Sequence, residues 1–302
     1  EGQRGVTAGG EPMFTVATTD HALRGDYSRA GADFAIAQDW AAYAPADHAL
    51  WRRLYQRQIA LMPRYAAQPV KAALAELDFG AAIPDLERVS EKLLRATGWR
   101  LVAVPGFIPD AAFFAHLARR QFPVTIWLRK PEEIDYLVEP DIFHDFFGHV
   151  PLLFDPVFAD FLQLYGEKGA EAERLGATAI LARLYWYTVE FGLIRESDGI
   201  KAYGAGMLSS CAETAFSVDD PSPNRIGFDL ARVMRTAYRI DDFQQTYFVL
   251  ESFGELFRAL QQDLRPLYER VRALPEYAPD SVLPTDRVFT RGTGAWKRRK
   301  AG

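Results

Sequence analysis

Sulfur ligands are nearly absent from this sequence. Its 302 residues include one cysteine, Cys211, so an internal disulfide and a multi-cysteine metal site are both excluded. A single cysteine suits a reducing compartment, and we expect a cytoplasmic protein. The first residues, EGQRGVTAGGEPM, contain no apolar signal core, and no run is long enough to cross a membrane. We therefore expect neither secretion nor membrane insertion.

An excess of positive charge is also lacking. The chain has 35 Lys and Arg against 40 Asp and Glu, a net charge of −5. No electrostatic footprint for nucleic acid results from this balance. Four consecutive basic residues near the C-terminus, in RGTGAWKRRKAG, are expected to lie in a solvated, frayed end.

The composition and the polar terminal segments predict one folded domain between two flexible ends. Hydrophobic residues make up 49% of the chain, enough for a sizeable core. A polar, glycine-rich lead-in is expected at residues 1–20 and a flexible basic tail at residues 286–302. The folded unit is then predicted to occupy residues 21–285 as a single domain.

Local patterns predict mostly helices. The run DHALWRRLYQRQIALM has apolar residues at helical spacing, with Asp47 as a plausible cap. PDLERVSEKLLRATG has Pro84 at its start and Gly98 at its end, the usual punctuation of a helix. Both runs therefore predict helices that cover the core.

Strand signals are fewer and shorter. WRLVAV and VTIWL, residues 99–104 and 124–128, cluster β-branched and aromatic residues. Asp198-Gly199 lies between two short arms and indicates a hairpin. The predicted fold class is mainly α with a few short β-strands.

Two of the five histidines lie in one apolar segment, EPDIFHDFFGHVPL at residues 139–152. Imidazole binds Fe, Zn, Cu or Ni, so this segment predicts a metal site, with packed or capping histidines as the alternative. His144 and His149 are five residues apart, a turn of about 140° around a regular α-helix. Both can reach one ion only if the backbone loosens, and Gly148 and Pro151 are suited to cause this.

A third ligand is predicted in LYWYTVEFGL, residues 184–193. Glu190 is the one acidic side chain in this run, and a lone carboxylate is costly to bury unpaired. The alternative is a glutamate that points to solvent from an amphipathic helix. Two histidines and one carboxylate form the facial triad of non-haem Fe(II) oxygenases.

Other uses of these three ligands stay open on ligand chemistry alone. A catalytic zinc with two histidines and one glutamate would activate water in a hydrolase. A purely structural metal would need a fourth protein ligand. Neither Cys211 nor the other histidines, His21, His48 and His116, lie in a context that supplies one.

Three motifs in a fixed order carry a family likeness. EPDIFHDFFGHVPL, LYWYTVEFGL and IKAYGAGMLSSCAE follow one another in the chain. From about residue 38 to about residue 270 the sequence resembles the pterin-dependent aromatic amino acid hydroxylases, most closely the bacterial members that act on phenylalanine. The resemblance implies a single catalytic domain of that type, with Fe(II) bound by His144, His149 and Glu190. It implies a monooxygenase that converts L-phenylalanine to L-tyrosine with O₂ and a tetrahydropterin co-substrate.

The resemblance also implies where the tetrahydropterin binds. Backbone groups in VPGFIPDAAFF could contact the edge of a pterin, and Phe113 offers a ring face for stacking. Without the resemblance, Phe113 would be assigned to the core. The implied pterin-binding residues are Gly106, Phe107, Ile108, Phe113, Asp145 and Tyr185.

The substrate site is predicted around Arg129, which ends an apolar strand. Its fork of donors suits a carboxylate, although an exposed salt bridge is the ordinary explanation for an arginine at such a position. The resemblance implies that the substrate-binding residues are Arg129, Pro140, Trp186, Phe191 and Ser209.

Two positions indicate the substrate. Related tryptophan hydroxylases have Phe in place of Trp186, and related tyrosine hydroxylases have Asp in place of Ile240. Phenylalanine is therefore the expected substrate, and a tryptophan hydroxylase of the same family is the alternative. Small molecules are the expected partners. Without a C-terminal coiled coil of sustained heptads, we expect a monomer.

Overall fold

The computed structural model describes residues 23–135, 137, 139–240 and 242–295. Most of its regular structure is helical and the strands are short, so the predicted fold class is confirmed. The α-helices are α1 (Pro45–Ile59), α2 (Met62–Tyr65), α3 (Gln68–Leu77), α4 (Leu86–Thr97), α5 (Asp110–Ala118), α6 (Pro156–Arg174), α7 (Thr178–Tyr185), α8 (Ala205–Leu208), α9 (Cys211–Asp219), α10 (Leu230–Met234), α11 (Phe253–Leu260) and α12 (Arg265–Arg272). The strands are β1 (Arg100–Val104), β2 (Gln121–Thr125), β3 (Leu193–Glu196), β4 (Gly199–Ala202), β5 (Asn224–Gly227), β6 (Thr246–Leu250) and β7 (Val288–Thr290).

The described strands form two sheets. β1 and β2 pair in parallel, and the larger sheet has the order β4-β3-β6-β5-β7. In the larger sheet, β3 and β5 run parallel to β6, and antiparallel strands lie at both edges. β3 and β4 form the predicted hairpin, whose turn residues are Ser197 and Asp198. Gly199 opens β4 with φ at 124°, a conformation that favours glycine.

β2 begins and ends earlier than the sequence predicts. A strand is predicted at residues 124–128, whereas β2 ends at Thr125, opposite Val104. The last backbone hydrogen bond between these segments runs from the Ile126 N–H to the Val104 carbonyl, at 3.3 Å. The Ile126 carbonyl accepts instead from the Tyr43 hydroxyl, at 2.6 Å. The tertiary partners of this segment therefore override its β-propensity.

The larger sheet includes residues that the sequence assigns to the tail. β7 pairs antiparallel with β5, with Thr290 opposite Arg225. Regular structure therefore continues past the predicted boundary at residue 285. The predicted lead-in at residues 1–20 and the basic residues 297–300 lie outside the described residues.

The first residues of two helices differ from those that the sequence predicts. Asp47 does not precede α1 but lies in its first turn, where its carboxylate accepts from the Ala44 N–H at 2.8 Å. Before α4, Asp85 accepts from the N–H groups of Glu87 and Arg88. α4 ends at Gly98 as predicted, with φ at 76°.

α5 and α6 pack in very close contact, which fixes one wall of the site described below. A side chain at Gly169 would place its Cβ 2.1 Å from the ring of Phe114, so the helices could not approach as they do. Within the described residues, no helix is both long and apolar enough to span a membrane.

Candidate metal centre

A local change of helix type solves the spacing problem of the two histidines. Residues His144–His149 form a π-helix, in which hydrogen bonds join residues five apart. Side chains at that spacing lie on the same face, unlike those of an α-helix. Trp186–Glu190 is a second π-helix, and it presents Glu190. Both segments that supply ligands are therefore widened helices, a feature that is frequent at functional sites.

Gly148 has a different role from the one predicted. Its backbone does not adopt a positive φ, but a Cβ at this position would lie 2.8 Å from the carbonyl oxygen of Ala205. The glycine is needed because α8 crosses the π-helix at close range. Pro151 follows in a 3₁₀ turn, Val150–Phe154, where its missing N–H cannot extend the wider helix.

His144, His149 and Glu190 converge at one point. The Nε2 atoms of His144 and His149 lie 3.5 and 3.2 Å from the two carboxylate oxygens of Glu190. One ligand atom from each of the three side chains lies within 4.8 Å of the others. At metal–ligand bonds of about 2.1 Å, adjacent ligand atoms are roughly 3 Å apart, so this set fits one ion. Among the described residues, no other group of this kind is found.

The three ligands line a cavity of about 1000 Å³. The predicted metal, pterin and substrate residues all border this same space. They are Gly106, Phe107, Ile108, Phe113, Arg129, Pro140, His144, Asp145, His149, Tyr185, Trp186, Glu190, Phe191 and Ser209. The structure therefore brings together every side chain that the sequence selected.

The predicted pterin side of the cavity has an aromatic wall. The rings of Phe113 and Tyr185 meet edge to face, with centroids 5.6 Å apart. Asp145 accepts from the Thr125 N–H at 2.8 Å through one carboxylate oxygen. Phe113 is partly buried and borders the cavity, so its ring is available to a flat ligand.

Arg129 is not in the exposed salt bridge that the sequence offered as its ordinary explanation. Only 7% of the residue is exposed, and its Nε and Nη2 donate to the two carboxylate oxygens of Asp141 at 2.8 and 2.9 Å. Nη1 makes only a long contact of 3.5 Å, to the Ile134 carbonyl. Asp141 therefore fixes the guanidinium of a residue that also borders the cavity.

Comparison with known proteins identifies the family. A family model described as biopterin-dependent aromatic amino acid hydroxylase matches residues 28–272. The chain belongs to this family. The predicted resemblance and the hydroxylase type of the catalytic domain are thus both confirmed.

Three relatives of this hydroxylase all carry the name phenylalanine hydroxylase. A phenylalanine-4-hydroxylase of Ralstonia nicotianae is 53% identical over 86% of this chain and 84% of that protein. One from Caulobacter vibrioides is 53% identical over 87% of this chain and 90% of its own length. A structure of phenylalanine hydroxylase from Chromobacterium violaceum bound to cobalt has a TM-score of 0.84 at 52% identity. The matched region covers 86% of this chain and 95% of the Chromobacterium violaceum chain.

The charge states of the hydroxylase's ligands suit metal binding. Burial lowers the pKa of His144, which keeps the imidazole neutral and its nitrogen lone pair available. Burial alone would raise the pKa of Glu190, but His149 and His144 oppose this and the net pKa is lowered. Burial raises the pKa of Asp145, despite the opposing effect of the nearby histidines.

Ser209 contacts a metal ligand directly, which the sequence did not predict. Its hydroxyl donates to the Ala205 carbonyl at 2.8 Å and lies 2.8 Å from Nδ1 of His144. Because the one hydroxyl hydrogen is committed to Ala205, Nδ1–H of His144 donates to the Ser209 oxygen. Nε2 is then the nitrogen that carries the lone pair, and it faces Glu190.

Replacing Ser209 with alanine is expected to weaken metal binding about 10–100-fold, the usual effect of losing a contact that orients a ligand. The ring of His144 would lose the partner that fixes its tautomer. Titration of metal-free protein with Co(II) or Fe(II) would measure the change. Ser210→Ala is the matched control, because the Ser210 hydroxyl accepts from the Glu213 N–H at 3.3 Å and has no contact with a metal ligand among the described residues. Equal metal affinities of the two variants would contradict the expected role.

Sequence reasoning missed three buried polar residues of this cavity region. They are Asp141, Glu213 and Gln244. Asp141 accepts from the His144 N–H at 3.0 Å, and an acidic residue three positions before a helical histidine could have indicated this. Glu213 and Gln244 gave no local signal, since Glu213 bonds to Gln244 and Tyr247 and Gln244 bonds to Trp186, all more than 30 positions away.

Glu213 makes stability depend on pH. Burial raises its pKa to about 7, although hydrogen bonds from Tyr247 and Gln244 favour the ionised form. The unfolded chain releases this proton near pH 4.5, so the free energy of unfolding falls as the pH rises from there to about 7. Glu213→Gln removes the titration. Near pH 5 we expect similar stabilities, whereas at pH 8 the variant should be more stable by roughly 2–3 kcal/mol. Urea unfolding at both pH values tests this, and a difference that stays constant with pH would contradict it.

Proposed function

We propose that this hydroxylase is a monooxygenase that converts L-phenylalanine to L-tyrosine with O₂, a tetrahydropterin and non-haem Fe(II). One observation carries the proposal: two histidines and a glutamate converge in a cavity of about 1000 Å³, in a chain about half identical to named phenylalanine hydroxylases. The family membership favours this reading over a zinc hydrolase with the same ligands.

Fe(II) is the proposed metal, bound by His144, His149 and Glu190. Three ligands from the protein leave other positions for exogenous molecules, as in facial-triad oxygenases. When bound, the iron would supply activation of O₂. The protein contributes two imidazole nitrogens, a buried carboxylate and restricted access of water, since His149 and Glu190 are 6% and 8% exposed.

The tetrahydropterin is proposed to lie between the loop at residues 106–108 and the Phe113–Tyr185 pair. Its flat ring can stack on Phe113 while backbone groups of the loop contact its edge. Asp145 would face the same ligand from the metal side. The support for this proposal is that all of these residues border one cavity.

The amino acid is proposed to lie between Arg129 and Trp186. The fixed guanidinium of Arg129 would bind the carboxylate, with Ser209 nearby. Pro140, Trp186 and Phe191 would wall the aromatic ring. Ile240, 48% exposed, offers no partner for a phenolic hydroxyl, which supports phenylalanine as the substrate and tyrosine as the product.

Product analysis tests the proposed function. Purified protein would be loaded with Fe(II) or Zn(II) and incubated with a tetrahydropterin and each aromatic amino acid in turn, with and without O₂. We expect tyrosine from phenylalanine only with iron, pterin and O₂ together. Faster hydroxylation of tryptophan would favour the tryptophan hydroxylase alternative. Turnover of a hydrolysable substrate with zinc and without O₂ would overturn the proposal.

Replacing Arg129 with lysine is expected to raise KM for phenylalanine by about 10–100-fold, because a lysine cannot contact Asp141 and a substrate carboxylate with one planar fork. KM for the tetrahydropterin should stay near the wild-type value, which is the internal control. Steady-state kinetics with each substrate varied would measure both. An unchanged KM for phenylalanine would remove Arg129 from the proposed site.

We further infer that the protein acts as a monomeric catalytic unit in the cytoplasm. Its single cysteine, Cys211, and its net negative charge are compatible with that setting. The proposed catalytic unit covers residues 21–285, and β7 extends the sheet beyond it. Light scattering after gel filtration should give a mass near 34.0 kDa. A stable dimer mass would contradict the monomer.

A further inference from the structure

A loop between α10 and β6 forms part of the cavity wall. Its described residues Ile240, Phe243 and Gln244 border the cavity, as does Trp186 from the second π-helix. Ile240 and Phe243 are 48% and 37% exposed, whereas Gln244 is only 4% exposed. A buried glutamine at the end of an exposed loop must satisfy both ends of its amide within the protein.

The side chain of Gln244 joins the loop to Trp186. Its Oε1 accepts from the indole Nε1–H of Trp186 at 2.9 Å. Its Nε2 donates to the carbonyl of Arg239 at 3.1 Å, which closes the loop on itself. One amide therefore holds the start of the loop and the edge of an aromatic ring at the same time.

Glu213 and Tyr247 hold Gln244 in turn. Oε1 of Glu213 accepts from the Gln244 backbone N–H at 3.2 Å and from the Tyr247 hydroxyl at 2.8 Å. Glu213 and Tyr247 are 7% and 0% exposed. These residues lie on α9 and β6, so the position of Gln244 is set by two elements that do not belong to the loop.

The hydrogen bond adds something that ring packing alone does not supply. Trp186 stacks on Tyr238 with centroids 4.5 Å apart and an angle of 19°, and it contacts Phe191 at 4.7 Å. Stacked rings stay in nearly parallel planes, but each can slide and turn within its own plane at little cost. A directional N–H bond at the ring edge removes that freedom.

We infer that Gln244 is a positioning residue that fixes the Trp186 ring and the start of the loop at Arg239, and thereby sets the shape of the pocket for the aromatic side chain of the substrate. This inference rests on the proposed function, because that function assigns Trp186 to the wall around the substrate ring. Gln244 itself need not touch the substrate. Its effect should appear in substrate affinity and selectivity.

The first experiment replaces Gln244 with methionine, which keeps the length of the side chain and removes the amide. KM for phenylalanine should rise about tenfold while kcat changes less than about threefold, and the preference for phenylalanine over tryptophan should shift at least about fivefold. Gln262→Met is the matched control, because among the described residues the Gln262 side chain donates only to the Ala259 carbonyl, at an exposed turn. A drop in kcat with unchanged KM and selectivity would overturn the inference.

A second measurement does not depend on activity. In metal-free protein with ¹⁵N-labelled tryptophan, the indole resonance of Trp186 can be assigned by its loss in Trp186→Phe. Gln244→Met should move this proton upfield and speed its exchange with solvent, whereas Gln262→Met should not. An unchanged resonance would overturn the inference. Absence of tyrosine formation by the wild-type enzyme would instead count against the proposed function.

A conservative pair at Glu213 separates positioning from simple loss of structure. Glu213→Gln keeps an oxygen that can accept from both donors, so its KM and its Trp186 resonance should match those of the wild type. Glu213→Leu removes the acceptor and should reproduce the effects of Gln244→Met. If the Gln and Leu variants shift KM and the resonance equally, the proposed chain from Glu213 through Gln244 to Trp186 is wrong.

Discussion

Replacing Glu190 with alanine is expected to abolish tyrosine formation and metal retention together. Glu190 supplies the only carboxylate of the described metal cluster, and its two oxygens lie 3.5 and 3.2 Å from the two histidine nitrogens. Loss of a contact that only orients a ligand already costs about 10–100-fold in metal affinity, so loss of a ligand should cost more than about 1000-fold. Metal content after dialysis and single-turnover tyrosine formation would measure both effects.

Two further variants make the Glu190 experiment specific. Glu190→Gln keeps the size of the side chain and replaces the carboxylate with a weaker, neutral oxygen ligand, so its metal affinity should fall between those of the wild type and the alanine variant. Glu173→Ala, at an exposed site near the end of α6, is the control and should retain both metal and activity. Full tyrosine output from Glu190→Ala would remove this residue from the metal site.

Replacing Asp141 with alanine is expected to lower the free energy of unfolding by roughly 3–5 kcal/mol, because the buried charge of Arg129 is left without its partner. Asp141 is fully buried and accepts from Nε and Nη2 of Arg129 and from the backbone N–H of Arg129 and His144. Burial opposes its ionisation, but Arg129 outweighs this and lowers the pKa of Asp141. Urea unfolding at pH 7 would measure the loss.

Comparison with an exposed pair identifies the cause of that loss. Asp263 pairs with Arg265 at 2.7 Å, and both side chains are about half exposed, so Asp263→Ala should destabilise the protein much less than Asp141→Ala. Asp141→Asn keeps the shape of the side chain without the charge and should give an intermediate loss. Equal small losses for Asp141→Ala and Asp263→Ala would show that the buried pair does not stabilise the fold as expected.

The two predictions also separate stability from chemistry. Glu190→Ala should leave a folded protein without metal, since the alanine removes a buried charge from the centre of the cavity. Asp141→Ala should lower the free energy of unfolding. It should also weaken substrate binding, because Asp141 holds the guanidinium of Arg129 in place. Circular dichroism and metal content measured on both variants would distinguish these outcomes.

Some of the fold could be predicted because its causes are local. α4 begins after Asp85 and ends at Gly98, and both signals lie within a few residues of the helix end. The β3–β4 hairpin depends on Ser197, Asp198 and Gly199 in the same way. β2 was misplaced because its end depends on β1 and on the Tyr43 hydroxyl, which belongs to a distant part of the chain.

The metal ligands could be predicted because ligand chemistry is a property of residue type. Two imidazoles in one apolar segment and a single carboxylate in another have few other uses, and the motifs around them point to one family. Their convergence depends on two π-helices, and the sequence showed only that some loosening was needed. The close approach of Ala205 to Gly148 likewise depends on tertiary packing, and no pattern in residues 139–152 contains it.

The sequence by itself was enough to predict the fold class and the family, and it selected the three side chains that converge in the candidate metal centre. Only the tertiary structure decided that Asp141 fixes Arg129, that Ser209 orients His144, and that Gln244 joins Trp186 to a loop. The physical reason is the range of the interactions involved. Ligand type and helix ends are set by a few neighbouring residues. These three hydrogen-bonded pairs instead join residues 12, 65 and 58 positions apart, and their meeting depends on the packing of the whole domain.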